Sequence, residues 1–335
     1  MKAIIPIAGR ADHYRPHIYA QPKPLVPIAG KPVIGHIIDI LHQKAGVDEF
    51  IFVTSNSGRR IEQYIDKDYK NRTFKTHFVV QEQRKGSAHA VWLAQELVQN
   101  EDKIIIAFGD CIVDLDFQSF INTQHHAVAT KKVSKPSLFG IVETDKNNQV
   151  KLFIEKPKIP KSNLAITGLF CVKNPRVLLE VIQDMLFTHC EGTEYYLTDA
   201  LMRMMALDQH FMAYEVERWY DCGKKEGLLE ANAIHLAYPG FKTSPVEDFP
   251  NNNLFIQPVK IGKNCIIQNA IIGPNVAIAN NVRISNCIIS ESIIGSDSRI
   301  EHAILNESVV GNDAVLQGFR QSLNLGDNTE INLTS

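Results

Sequence analysis

The chain has 335 residues, and its 35 basic and 37 acidic side chains leave a formal net charge of −2. No global field attracts nucleic acid or an anionic membrane surface, so neither is expected as a partner. At roughly 100 to 200 residues per domain the length suits two domains. No run approaches the ~18 apolar residues of a membrane helix, and no apolar signal segment precedes the first strand pattern, so the chain is expected in the cytoplasm. Its six cysteines, Cys111, Cys171, Cys190, Cys222, Cys265 and Cys287, form no close pairs. That spacing argues against a disulfide framework and against a CxxC metal site.

In chain order, the β-branched run Ala3–Ile7 predicts a strand. VIGHIIDILHQKAG (33–46) predicts a helix, EFIFVTS (49–55) a strand, RRIEQYID (59–66) a helix and HFVVQEQ (77–83) a strand. SAHAVWLAQELV (87–98) then reads as one helix and KIIIAFGD (103–110) as a strand. This alternation implies an α/β, doubly wound, mostly parallel sheet. Ligands of such sheets collect beyond the carboxyl ends of the strands, where the loop after the first strand, Gln81 and Asp110 would lie.

The pattern changes near residue 255. Ile256, Ile261, Ile266, Ile272, Ile278 and later aliphatics to Leu316 recur five or six residues apart, with Gly and Asn between them. That repeat predicts a parallel β-helix. The expected organisation is a domain over 1–238, a Pro- and Asn-rich linker over 239–254 (PGFKTSPVEDFPNNNL) and a β-helix over 255–335. The tail reads as a structural or self-association module. His302 within it is read as structural, not as the catalyst of an acyltransferase.

Seven phrases occur in order: PKPLVPIAGKPVI (22–34), QEQRKGSAHAV (81–91), FGD (108–110), FGIVE (139–143), EKPKIPKSNLAITGLF (155–170), EYYLTDAL (194–201) and WYDCGKKEGLLEAN (219–232). Together they resemble the sugar-1-phosphate nucleotidyltransferases, most closely the glucose-1-phosphate thymidylyltransferase type. The resemblance implies a Rossmann-like, GT-A-like domain with a left-handed β-helix as a common appendage. It also implies transfer of a nucleotidyl group from a nucleoside triphosphate, dTTP or UTP favoured, to a sugar 1-phosphate with Mg²⁺, supplying precursors for glycan assembly.

Residue roles follow from the same resemblance. Asp110 and Asp221 would hold Mg²⁺, which needs only a few carboxylate oxygens beside substrate phosphates. Lys23, stiffened between two prolines, would contact the triphosphate. Ala8, Gly9 and Arg10 belong to the nucleotide loop, and Arg10 or Arg15 is the arginine left to clamp phosphate. Gln81 and Gly86 match the positions that read the base; a glutamine amide suits the imide edge of uracil or thymine. Gly140, Glu155, Lys156, Thr167 and Gly168 match the sugar-phosphate site. Asp114 reads as a turn or cap, His89 as helix packing or a cap partner, and His125 and His126 as surface residues.

The loop AGRADHYRP (8–16) departs from the family's Gly-Gly-x-Gly-Thr-Arg pattern: Ala11 replaces the second glycine, Asp12 the hydroxyl residue and His13 the arginine. Ala11 in a left-handed conformation would cost roughly 1–2 kcal/mol. Asp12 at about 4 Å from a phosphate charge would cost roughly 4 kcal/mol at an effective dielectric of 20. His13 gives up the bidentate arginine contact. Two readings stay open: an enzyme of altered efficiency, or a homologue that binds nucleotide sugar without turning it over.

Overall fold

The computed structural model describes residues 1–9, 22–55, 58–188, 194–241, 249–250 and 252–318. It divides into two units, Met1–Ala231 and Asn232–Ser335. The first unit begins with β1 (Lys2–Pro6), a small pair β2 (Pro27–Ile28) and β3 (Lys31–Pro32), helix α1 (Val33–Ala45), β4 (Glu49–Thr54), α2 (Arg59–Asp68) and β5 (Lys75–Val80). Two short helices follow, α3 (Ser87–Trp92) and α4 (Gln95–Val98), then β6 (Lys103–Ala107), β7 (Cys111–Asp114) and α5 (Phe117–Asn122). The single helix expected over 87–98 is thus interrupted at Leu93–Ala94. Next come β8 (His126–Lys132), β9 (Ile141–Thr144), β10 (Val150–Ile154), β11 (Leu164–Lys173), α6 (Pro175–Thr188) and α7 (Leu197–Ala206). β12 (Phe211–Glu215), β13 (Arg218–Asp221) and α8 (Lys225–Leu236) complete the series, and the division between units falls within α8.

β6, β1, β4 and β5 are adjacent and parallel. Alternation along these strands sends Ile4, Ile51, Val53, Ile104 and Ile106 into one core with residues of α3, α6 and α7. The intervening Ala3, Ile5, Phe50, Phe52 and Ile105 are also fully buried, so both faces are covered, as a parallel sheet requires. α1 is held by its buried stripe Val33, Ile34, Ile37, Ile38 and Leu41, and it stops at Gly46, whose φ of 68° suits glycine. Beyond β6 the sheet turns antiparallel: β11 pairs with β6, and β8 and β9 pair with β11. β12 adds in parallel on β8. β4 and β5 extend from one side of β1 and β6 from the other, so the chain reverses its winding between β1 and β6. In open α/β sheets that reversal opens a crevice at the carboxyl ends of the strands.

Two readings, His126 as a surface residue and Asp114 as a turn or cap, need correction. His125 is exposed, but His126 is buried: its Nδ1 accepts the Lys173 N–H at 3.0 Å, its Nε2 lies 3.2 Å from Gln209 Oε1, and its ring stacks on Phe211. His125 stands in the bend before β8, and His126 is the strand's first residue. Asp114 ends β7 in an ion pair with Lys44 at 2.6 Å; the cap of α5 is Asp116, which accepts from the Gln118 and Ser119 amides.

In the second unit, three columns of short parallel strands form a β-helix. One column runs Ile267, Ile284, Ile300, Leu316, another Ile272, Ile289, Leu305, and the third contains Val276 above Val259 and, one residue on, Ala277, Ile293, Val309. Ile256 and Ile266, expected inside, are exposed at 43% and 48%, and Ile267 takes the inward place. The corners adopt left-handed backbone at Asn264, Asn281 and Asp297, whose side chains form a ladder of 3.2 and 2.9 Å hydrogen bonds at offsets of 17 and 16 residues. Asparagine tolerates this conformation better than other side chains. His302, with φ 54°, is such a corner, following Asn286 in its column.

Candidate active site

β1 leads through Ile7 to buried Ala8 and exposed Gly9. Arg10 to Arg15, and with them Ala11, Asp12 and His13, lie outside the described residues. A Cβ built on Gly9 meets no atom of the described residues within 4 Å. β6 leads through Phe108 and Gly109 to Asp110. A Cβ on Gly109 would stand 2.0 Å from Ile7 Cγ2, so the two strand ends meet closely at the winding reversal.

Asp110 and Asp221 converge there because β7 and β13 pair antiparallel with Asp221 opposite Cys111. A Cβ on Gly223 would lie 2.6 Å from Asp221 Oδ1 and 3.4 Å from Asp110 Oδ2, so both carboxylates border one spot. Burial raises the Asp110 pKa above the usual carboxylate value, and the Asp221 charge raises it further; Lys23 is near enough to pull it back. Asp221 Oδ1 accepts the Gly223 N–H at 3.0 Å, and Oδ2 pairs with Lys224 Nζ at 3.1 Å. The Lys224 ammonium also lies 4.1 Å from the centre of the Phe139 ring, which packs edge-on against Trp219. Cys111 and Cys222 flank the pair as thiols whose pKa values burial pushes well up, which makes them poor nucleophiles. The five described cysteines are free; Cys190 lies outside the described residues.

Glu155 forms a second group. Its Oε2 accepts from Thr198 Oγ1 at 3.2 Å and lies 3.1 Å from a Cβ built on Gly140, and burial raises its pKa. Lys156 beside it is exposed, with φ 40°. The Ile166 amide donates to Gly140 O at 2.8 Å, and two residues later Gly168 O accepts the Phe108 amide at 2.9 Å. The β11 segment therefore joins the glutamate to the approach of Asp110. Gly168 has φ 85°, and its Cβ would press on Phe108 at 3.0 Å. Thr167 is fully buried and its hydroxyl donates to Ala129 O at 3.0 Å, so that group is turned into the sheet.

A third group surrounds Gln81 at the end of β5. Gly86 has φ 94°, and a Cβ there would meet the Tyr195 backbone at 2.4 to 2.9 Å. It admits protein backbone: Ala88 N donates to Tyr195 O and Tyr195 N to Lys85 O. Gln81 Nε2 donates to Gly86 O at 3.1 Å and lies 2.9 Å from His89 Nδ1. Tyr195 and Thr198 connect this group to Glu155, so the three groups form one arc from Gln81 to Asp221. Thr198, Lys224 and the anchoring role of His89 went unnoticed in the sequence, although all three lie inside the quoted phrases.

Among the described residues no group of three or more His, Cys, Asp or Glu side chains could hold a metal ion. Two facing carboxylates of unfavourable mutual charge nonetheless fit a hard divalent cation that takes its remaining ligands from water and phosphate.

The family profile described as nucleotidyl transferase matches residues 2–237. The chain belongs to the nucleotidyl transferase family. Relatives include the bifunctional protein GlmU of Methanocaldococcus jannaschii, 33% identical over 69% of this chain and 53% of that protein. The low-salt glycan biosynthesis nucleotidyltransferase Agl11 of Haloferax volcanii is 33% identical over 70% of this chain and 66% of its own length. A UTP–glucose-1-phosphate uridylyltransferase of Staphylococcus epidermidis is 31% identical over 68% and 90%. The chain spans about half the length of the GlmU relatives it matches. A solved UDP-glucose pyrophosphorylase complexed with UDP-glucose superposes with a TM-score of 0.60 at 25% identity, covering 69% of this chain and 96% of that one. A putative glucose-1-phosphate thymidylyltransferase from Bacillus anthracis shares the fold, with a TM-score of 0.61 at 23% identity, over 70% of this chain and 94% of that one. These matches agree with the nucleotidyl transferase sheet of the first unit. No helix among the described residues is long and apolar enough to cross a membrane.

Proposed function

We propose that the chain transfers a nucleotidyl group from a nucleoside triphosphate to a sugar 1-phosphate: a phosphate oxygen of the sugar attacks the α-phosphorus and pyrophosphate leaves. The observation that supports this most is the convergence of Asp110 and Asp221 beside Lys23 at the winding reversal. Such a reaction asks mainly for in-line positioning and for cations opposite developing phosphate charge. Asp110 and Asp221 would hold Mg²⁺, which when bound supplies Lewis-acid neutralisation of the triphosphate. Lys23 adds a fixed cation beside them. Glu155, held by Thr198, offers an acceptor for a sugar hydroxyl, and Lys156 a cation for its phosphate.

For the base, Gln81 has already committed its donor, so the acceptor Oε1 is what remains for a ligand. An acceptor suits the N3–H of uracil or thymine. Two relatives, a UTP–glucose-1-phosphate uridylyltransferase and a UDP-glucose pyrophosphorylase complexed with UDP-glucose, lean the same way.

The sequence of the 10–15 loop favours a second reading, a sensor that binds nucleotide sugar without turnover. Pyrophosphate release separates them. Purified protein with Mg²⁺, each of dTTP, UTP, CTP and GTP and a panel of sugar 1-phosphates should release pyrophosphate, fastest with dTTP or UTP. No release, together with turnover gained by the triple variant Ala11→Gly, Asp12→Thr, His13→Arg, would overturn the enzyme reading.

A further inference from the structure

We propose that Lys224 is a positioning residue that competes with a divalent cation for Asp221, so that this chain takes up its metal together with the nucleotide and only weakly before it. The inference rests on the reading of Asp110 and Asp221 as the cation's ligands. Lys224 follows Asp221 by three residues, in the turn that leads into α8, and its ammonium contacts Oδ2 at 3.1 Å. Oδ1 is engaged by the Gly223 amide. Both Asp221 oxygens therefore have partners within the protein, one of them a full positive charge. A cation approaching this carboxylate must displace the ammonium or share an oxygen with it at short range, and like charges there repel strongly.

The lysine is not an ordinary solvated loop residue. Its ammonium sits over the face of Phe139 at 4.1 Å, and Phe139 is braced by Trp219 at 5.1 Å. This aromatic seat, next to the two residues 139 and 140 that lead into the Glu155 group, keeps the charge near the cleft after it leaves the carboxylate. A triphosphate brings anionic oxygens that offer the ammonium a new partner, which frees Oδ2 for the metal. Lys224 would then exchange one anion for another without leaving its seat. Its side chain is 42% exposed, so the exchange needs no rearrangement of the core.

Mn²⁺ titration of the full chain, followed by the free-ion EPR signal, tests this without reference to activity. In the absence of nucleotide, Lys224→Met, which keeps an unbranched stem on Phe139, should bind Mn²⁺ about tenfold more tightly than the parent chain. Lys224→Arg retains the charge and should stay within about twofold of the parent. With a non-hydrolysable UTP analogue the gap between Lys224→Met and the parent should narrow to about twofold. Unchanged or weaker Mn²⁺ binding by Lys224→Met, confirmed with Lys224→Gln, overturns the competition, and a tenfold gap that persists with the analogue overturns the exchange. Asp221→Asn, titrated with the analogue present, separates the two levels: if it binds Mn²⁺ there as the parent does, the carboxylate reading itself fails. If it binds weakly while Lys224→Met matches the parent, only the role of Lys224 fails.

Discussion

Gln81 and His89 are joined by a 2.9 Å hydrogen bond from amide nitrogen to Nδ1. The same nitrogen donates to the Gly86 carbonyl, and a flipped amide would set oxygen against oxygen there. The glutamine is thus fixed in one orientation, and His89 must accept at Nδ1 and carry its proton on Nε2. Burial, aided by Lys85, lowers the His89 pKa and so protects that neutral form.

Removing this anchor is expected to act on binding more than on chemistry. His89→Phe should raise KM for the nucleotide by roughly two- to tenfold, the worth of one net hydrogen bond, and leave kcat within about twofold. It should also narrow the preference among bases. Steady-state kinetics with the four triphosphates checks both; a loss confined to kcat would contradict the assignment.

Asp110 is expected to cost stability where it serves function. A carboxyl whose pKa is raised in the folded state favours folding when protonated, so its stabilising share is lost as pH rises from the ordinary value of 3.8 through the folded one. At neutral pH the charge opposes folding. Asp110→Asn should therefore abolish pyrophosphate release, by at least about a hundredfold, yet raise the melting temperature by about 2–4 °C per kcal/mol gained. Calorimetry at pH 7 would reveal a lowered melting temperature if the burial argument were wrong.

Two glycines near the cleft should respond oppositely. Gly86→Ala combines a left-handed φ with contacts under 3.0 Å to the Tyr195 backbone. A loss of about 2 kcal/mol or more is expected in urea unfolding, together with weaker nucleotide binding. Gly9→Ala meets no atom of the described residues within 4 Å and should fold within about 0.5 kcal/mol of the parent.

Buried His126 sets a pH dependence of stability. Its pKa is lowered, chiefly by burial, so the unfolded chain binds the proton more readily. Stability should fall as pH drops below the ordinary value of 6.5 towards the lower folded one. Urea midpoints at pH 7.5 and 5.5 should differ in the parent and converge in His126→Gln; an unchanged difference would exclude His126 as the source.

The parallel half of the sheet was legible because each strand is a short apolar run bounded by helix patterns, and the β-helix because its period is regular. The pairing of β7 with β13 was not, since two four-residue strands more than a hundred residues apart leave no local pattern; only the family phrases linked Asp110 to Asp221. Side-chain direction was the other blind spot. Thr167 lies in a matching phrase, yet its hydroxyl bonds to the neighbouring strand at Ala129, while Thr198, one place into α7, is the one that touches Glu155. His125 and His126 differ because the strand begins between them: the first lies in an exposed bend and the second opens β8 inside the core.

The asparagine corners of the β-helix give the tail a quantum of length. Because Asn264, Asn281 and Asp297 stack at offsets of 17 and 16 residues, an insertion or deletion of one whole coil leaves every corner above a corner and every inward aliphatic above another. A change of three or four residues instead brings an aliphatic side chain to a left-handed corner and a polar one to the interior. Length variation in this tail is consequently expected to come in whole coils, as a stack of interchangeable tiers.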